Sequence, residues 1–344
     1  MPTSSRSSLL LAVLLAVVLA PLPGGAQGFP SFIPLWAAPE GVAVARTGDV
    51  YVSVREGEGG MSGTIWQFAA DGSPTLFAEL GIGMVGGLAI APNQTIYAAM
   101  GLGPDQGVYR VSRNGLPERI AGTEQMLLPN ALAFDPGGNL YVTESVSGSA
   151  ASLGPGGIWR VTPNGEAAPW LYHELLTGIP GMPPLPVPIG ANGIAFYHGD
   201  LYVANTHKGT IVRVGIEGDG SPGTPEVWAT LPELWPSILP AMPDGLALDV
   251  HGNVWVAAVS RNAILRFDAD DRTPTLVTAL SMPGGAPLDT PASLAFGTGS
   301  GEQQNLFVTN LGMLSSMPIP APPGGWPGFG LVKVEAGAPG LPLK

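Results

Sequence analysis

Four residues with side-chain oxygens, Glu40, Asn130, Asn192 and Asp244, each stand immediately before a short apolar strand that runs into a turn and a second strand. Two carboxylates and two amide carbonyls, with no His and no Cys, make an all-oxygen donor set. Such a set suits one hard divalent cation, Ca²⁺ first, with Mg²⁺, Mn²⁺ or Zn²⁺ as alternatives. Carboxylates crowded together repel unless a cation lies between them. Four ligands also leave a Ca²⁺ shell short by about two to four oxygens, which water or a substrate fills. An open metal position can polarise a carbonyl, with a carboxylate such as Asp244 receiving a proton.

A repeat is what brings these residues to one place. One unit recurs six times: Glu40-GVAV-ARTGD-VYVSV, Gly86-GLAI-APNQT-IYAAM, Asn130-ALAF-DPGGN-LYVTE, Asn192-GIAF-YHGD-LYVAN, Asp244-GLAL-DVHGN-VWVAA and Ala292-SLAF-GTGSGEQQN-LFVTN. The first residues are 46, 44, 62, 52 and 48 positions apart. Periods of about 40–50 residues with several short strands per unit mark propeller blades. Rotation about one axis then sets the six first residues in a ring around the channel. Asp, Glu and Asn make up 37 of 344 residues, so four in six ring positions is a strong enrichment. The competing explanation is that Asn and Asp favour strand starts, where they bond their own backbone.

Each unit continues with a third strand, and five have a fourth: TLFAEL, ERIAG, APWLY, EVWATL and TLVTAL. The sixth lacks one. Phe32-Ile33-Pro34-Leu35-Trp36 resembles the fourth strands and is expected to complete the last blade, removing an open edge. Pro34 is tolerable on an outer strand. The expected fold class is therefore all-β: a six-bladed β-propeller, four strands per blade, closed by the N-terminal strand, as one domain over residues 27–344. The one helical candidate is Thr230 to Ile238.

Composition agrees. Gly and Pro number 50 and 37, and only 12% of residues are charged, which suits short strands and tight turns rather than long amphipathic helices. A formal net charge of −12 argues against nucleic acid and anionic membrane as partners. Residues 1–26 read as a signal peptide: Arg6, the apolar run Leu9–Ala20, then Gly24-Gly25-Ala26 for cleavage. Twelve apolar residues are too few to span a bilayer, which needs about 20. A secreted or periplasmic monomer follows as the expectation, held together without disulfides because the chain has no Cys.

The chain resembles the gluconolactonase / senescence-marker-protein / luciferin-regenerating-enzyme family of six-bladed propellers along essentially all of its length after residue 26. The resemblance rests on Glu40-Gly41, on Asn192-Gly193-Ile194-Ala195 with Leu201-Tyr202-Val203, and on Pro243-Asp244-Gly245 followed by Gly252-Asn253-Val254-Trp255-Val256. It implies metal ligands at Glu40, Asn192 and Asp244, contact of Asn130 with metal-bound water or substrate, Asp244 as general base, and hydrolysis of a lactone or related ester. Paraoxonase-like propellers have a similar ring. The chain departs from the pattern at Ala131, often Asp in the family. It also has no match for the family's substrate-binding Arg near blade 2, where Gly86, Gly87 and Met100 stand, so a sugar lactone is not indicated.

The last residues of the second strands, among them Glu144, Asn205 and Asn310, are read as returning to the ring level, with Asn205 roughly opposite Asn192. They are candidates to orient the ligands or touch substrate, as is His207, the one His placed on the site face. Residues 178–190, 231–243 and 311–328 join the same face. Their Met182, Leu185, Trp235, Ile238, Leu239, Met242, Met317 and Trp326 make an apolar rim, suited to an apolar small-molecule lactone or ester, or pack among themselves. Three functions stay open. The first is a metal-dependent hydrolase. The second is a non-catalytic ligand- or protein-binding propeller with a structural ion. The third is a strictosidine-synthase-like condensing enzyme, which the oxygen ring disfavours.

Overall fold

The computed structural model describes residues 28–149, 151–182, 187–234, 241–318, 320–322 and 324–342. The segment 1–26 lies outside them. Six four-stranded antiparallel sheets make up the fold, each ordered from its first strand to its fourth. The first strands are Ala38–Val44, Met84–Ile90, Pro129–Phe134, Ala191–Tyr197, Pro243–Leu248 and Pro291–Phe296. Each contacts the first strand of the next blade, and the sixth returns to the first. The result is a closed six-bladed β-propeller. Thr230 ends the fourth strand of blade 4, and 231–234 are not helical. A strand that pairs with Thr210–Gly215 takes up the start of the segment read as helical, and 235–238 lie outside the described residues.

The ring closes as the sequence implied. Phe32–Pro34 pairs antiparallel with Gly330–Glu335, in the register Phe32 to Val332 and Pro34 to Gly330. Backbone bonds from Lys333 N to Ser31 O and from Leu35 N to Phe329 O, 2.9 and 3.0 Å, extend the pairing. Phe29 packs edge-to-face on Phe307, centroids 4.8 Å apart.

The buried apolar residues form six clusters, one at each blade–blade interface. Alternation in the strands explains this. Val50, Val52 and Val54 face blade 6, while Tyr51 between them packs toward blade 2. With apolar residues on both faces of every sheet, burial is satisfied between blades and the axis stays open.

One irregularity recurs in all six blades. The register of the first strand against the second slips between Pro39 and Val42, Val85 and Leu88, Pro129 and Leu132, Ala191 and Ile194, Pro243 and Leu246, and Pro291 and Leu294. The residues inside these bulges are the ring residue and its follower: Glu40-Gly41, Gly86-Gly87, Asn130-Ala131, Asn192-Gly193, Asp244-Gly245 and Ala292-Ser293. A bulge bends the strand and re-aims a side chain. The follower must be small because the next blade crosses there. A Cβ on Gly41 would lie 2.7 Å from Gly87 Cα, and one on Gly193 would collide with Asp244 O.

Hydroxyls on the second strands tie these crossings. Ser53 Oγ accepts from Gly41 N and donates to Gly86 O of the next blade. Thr143 Oγ1 accepts from Ala131 N and donates to Asn192 O. Thr309 Oγ1 accepts from Ser293 N and donates to Glu40 O across the closure. At the other end of the first strands the channel opens into an apolar cavity of about 840 Å³, lined by residues including Val44, Ile90, Phe134 and Phe296, with Leu341 of the C-terminal segment at its edge.

Candidate metal centre

Glu40, Asn192 and Asp244 are 5, 5 and 8% exposed, so two carboxylates are almost withdrawn from water. Burial raises the proton affinity of both. For Asp244, raised well above the usual carboxylate range, the negative charge of Glu40 adds to burial, while Arg55 and a hydrogen bond with Asn192 oppose it. The two acids therefore share one electrostatic site. Asn130 is half-buried.

Each polar ring residue on blades 1, 3 and 4 is held by its own blade. Asn192 Nδ2 donates to Thr206 Oγ1 at 3.0 Å, and that hydroxyl donates to Pro243 O at 2.8 Å. Asn130 Nδ2 donates to Ser145 Oγ at 3.0 Å, which donates to Ala191 O at 2.7 Å. Arg55 Nη2 lies 2.8 Å from Glu40 Oε2, an ion pair without hydrogen-bond angles, and Arg55 Nε donates to Val85 O at 2.9 Å. Arg55, Ser145 and Thr206 occupy one repeat position, immediately after Val54, Glu144 and Asn205. Blade 5 has Val259 there, so the Asp244 carboxylate has no polar partner from that position of its own blade.

Holding each amide by its nitrogen frees its oxygen. Asn192 Oδ1 is buried and has no hydrogen-bond partner, while the buried Glu40 Oε2 has the Arg55 guanidinium as its charged neighbour. Buried acceptors left unpaired are costly. One of them, beside a buried carboxylate pair, fits a hard cation. Among the described residues no group of three or more His, Cys, Asp or Glu is placed to hold a metal. That is expected of a donor set in which half the members are amides.

The remaining sequence candidates serve the loops that enter the blades. Because of the bulge, Asn205 pairs with Ala191, Glu144 with Pro129 and Asn310 with Pro291. Asn205 therefore lies one residue away from Asn192, and it donates to Leu175 O and Thr177 O at 2.8 and 3.1 Å. Glu144 accepts from Leu127 N, Trp159 Nε1 and Tyr172 Oη at 2.8–2.9 Å. Burial raises its proton affinity and those donors oppose the rise. Asn310 Nδ2 donates to Pro287 O at 2.7 Å. His207 is 2% exposed; its Nδ1 lies 3.2 Å from Ile179 N of the loop entering blade 4, and burial lowers its proton affinity. Sequence reasoning missed Arg55, Ser145 and Thr206. Their signal was available as the common position one past the second-strand end.

Of the rim residues, Met242 is buried and Met317 exposed, while Met182 and Trp326 are half-buried. Leu185, Trp235, Ile238 and Leu239 lie outside the described residues. No helix among the described residues is long and apolar enough to cross a membrane.

The SMP-30/gluconolactonase/LRE-like family model matches residues 104–312. Among solved structures, a luciferin-regenerating enzyme is similar at TM-score 0.65 and 16% identity, covering 90% of this chain and 95% of its own. A calcium-binding protein, regucalcin, from Agrobacterium tumefaciens is similar at TM-score 0.60 and 17% identity, covering 90% and 97%. A gluconolactonase from Xanthomonas campestris is similar at TM-score 0.58 and 18% identity, covering 89% and 86%. At these identities the likeness is one of fold. No curated protein matches the chain.

Proposed function

Because the chain belongs to the SMP-30/gluconolactonase/LRE-like family, we propose that it is an exported hydrolase that opens a lactone or ester at one divalent metal ion, Ca²⁺ by preference, held by Glu40, Asn192 and Asp244, with Asn130 beside them. The observation that carries this reading is the buried, unpartnered Asn192 Oδ1, in a site where two carboxylates are buried together and the charge of Glu40 adds to the cost of ionising Asp244. The calcium-binding and gluconolactonase relatives add support by family rather than by identity.

A divalent ion bound here supplies Lewis-acid polarisation of the substrate carbonyl. The chain's own residues do the rest. Thr206 and Ser145 fix the amides of Asn192 and Asn130 by their nitrogens, so each carbonyl oxygen is kept for a cation or a substrate-side water. Asp244, which has Val259 at the repeat position that tethers the other polar ring residues, takes the proton of the attacking water. Burial excludes bulk water and strengthens every charge interaction in the site.

A panel of lactones and esters, sugar-derived and apolar, assayed with the chelator-stripped and the calcium-loaded protein, tests the reading. Turnover of at least one member that vanishes on chelation and returns with calcium is the expected result. A metal-loaded protein that turns over none of them would leave a ligand-binding propeller with a structural ion. Export rests on the segment 1–26. N-terminal sequencing of protein recovered from outside the cytoplasm should begin at Gln27, and a retained leader in the cytoplasm would contradict it.

A further inference from the structure

Arg55 is the charged member of a repeat position that carries neutral hydroxyls in blades 3 and 4 and apolar residues or glycine in the others. Ser145 and Thr206 hold Asn130 and Asn192 from that position, whereas in blade 1 it presents a guanidinium to a carboxylate. The side chain is largely buried, at 20% exposure, with Nη2 2.8 Å from Glu40 Oε2. Nε is fixed on Val85 O, the carbonyl just before Gly86. The guanidinium is thus tied to the blade 2 backbone one residue before Gly86, the ring position without a side chain.

The balance of the ring changes as a result. Glu40 and Asp244 carry −2 when ionised, and Arg55 brings the sum to −1. A cation already in contact with one ligand stabilises the ring without metal, and a divalent ion entering meets both its repulsion and its prior claim on Glu40 Oε2. Resting on the metal reading above, we propose that Arg55 is a built-in counter-cation that competes with the divalent ion for Glu40 and thereby limits the metal affinity of the ring. Arg55 is a positioning residue in this account. It acts on the metal through Glu40 and needs no contact with substrate.

Calcium titrations of the stripped parent, Arg55→Lys and Arg55→Gln, each paired with thermal melts with and without calcium, test the proposal. Arg55→Gln should bind calcium at least about tenfold more tightly than the parent. It should melt lower than the parent in chelator and recover in calcium. Arg55→Lys keeps the charge and should stay near parental affinity. A purely structural Arg55 predicts the opposite: weaker or unchanged binding, with a stability loss that calcium does not repair. Either result overturns the proposal, as does an Arg55→Gln protein that is unfolded under both conditions. The parent's own titration separates this failure from that of the metal reading. Binding by the parent with no gain in Arg55→Gln sinks only the role of Arg55. Binding by Arg55→Gln but not by the parent supports the competition in its strongest form. No binding by any of the three overturns both.

Discussion

The hydroxyl of Thr206 holds the amide of Asn192 by its nitrogen, at 3.0 Å, while donating to Pro243 O of the next blade at 2.8 Å. A blade-to-blade contact therefore also selects which atom of the Asn192 amide stays free. Thr206→Val keeps the shape and removes both bonds. Stability should fall by about 1–3 kcal/mol for each buried group left unpaired, and calcium affinity should fall by about 10- to 100-fold, the usual cost of losing a group that orients a ligand. Calorimetric titration of the variant checks this. Unchanged affinity would mean that the amide needs no holding.

The small residue after each ring residue is a steric requirement of blade packing. Gly193→Ala places a methyl against Asp244 O and within 2.8 Å of Gly245 Cα, so blades 4 and 5 must separate. Overpacking of this kind costs about 1–3 kcal/mol, read as a lowered midpoint in urea. A variant as stable as the parent would show that the blades have room to spare.

Closure by the N-terminal strand predicts a clear truncation phenotype. A chain beginning at residue 38 loses Phe32–Pro34 from the sheet edge, together with the buried Phe29 and Leu35. Gly330–Glu335 becomes an open edge, and open edges pair with other chains. A lower melting temperature and aggregation visible by light scattering are expected. Parental melting of a soluble truncated monomer would refute the closure's importance.

Much of this was legible beforehand. Strand order, blade number and the closing strand follow from a repeat whose apolar alternation is regular and whose sixth copy lacks its last strand. The four ring residues were legible for the same reason, since each opens a copy. The bulge was not. Glu-Gly, Asn-Ala and Asp-Gly read as ordinary strand starts, and an unbulged pairing sets the second strand one residue out. A one-residue slip turns every side chain to the other face. Glu144, Asn205 and Asn310 were therefore read as facing the ring, where the structure has them tying incoming loops and Arg55, Ser145 and Thr206 touching ring residues instead. Arg55 shares that repeat position with Ser145 and Thr206, but its charge has no evident purpose until Glu40 is placed beside it.

Two charge changes at nearly constant shape separate ligand from base. Asp244→Asn keeps an oxygen but removes a charge and the proton acceptor. Calcium binding should weaken, and turnover at saturating calcium should fall by about 10²–10⁴. Asn192→Asp adds a charge and should tighten calcium binding. It should also slow turnover, because a more negative ligand set makes the ion a weaker Lewis acid. Steady-state kinetics at saturating metal check both, and an Asp244→Asn variant with parental turnover would remove Asp244 from the mechanism.

On the metal reading, the ring of first-strand residues holds one divalent ion. A crystal structure of the calcium-equilibrated protein, with anomalous diffraction to identify the ion, tests it most directly. A single calcium peak is expected, bonded to Asn192 Oδ1 and to carboxylate oxygens of Glu40 and Asp244, at the 2.3–2.6 Å typical of calcium–oxygen bonds. A ring filled only by water at saturating calcium, or a calcium bound away from these three side chains, would contradict it.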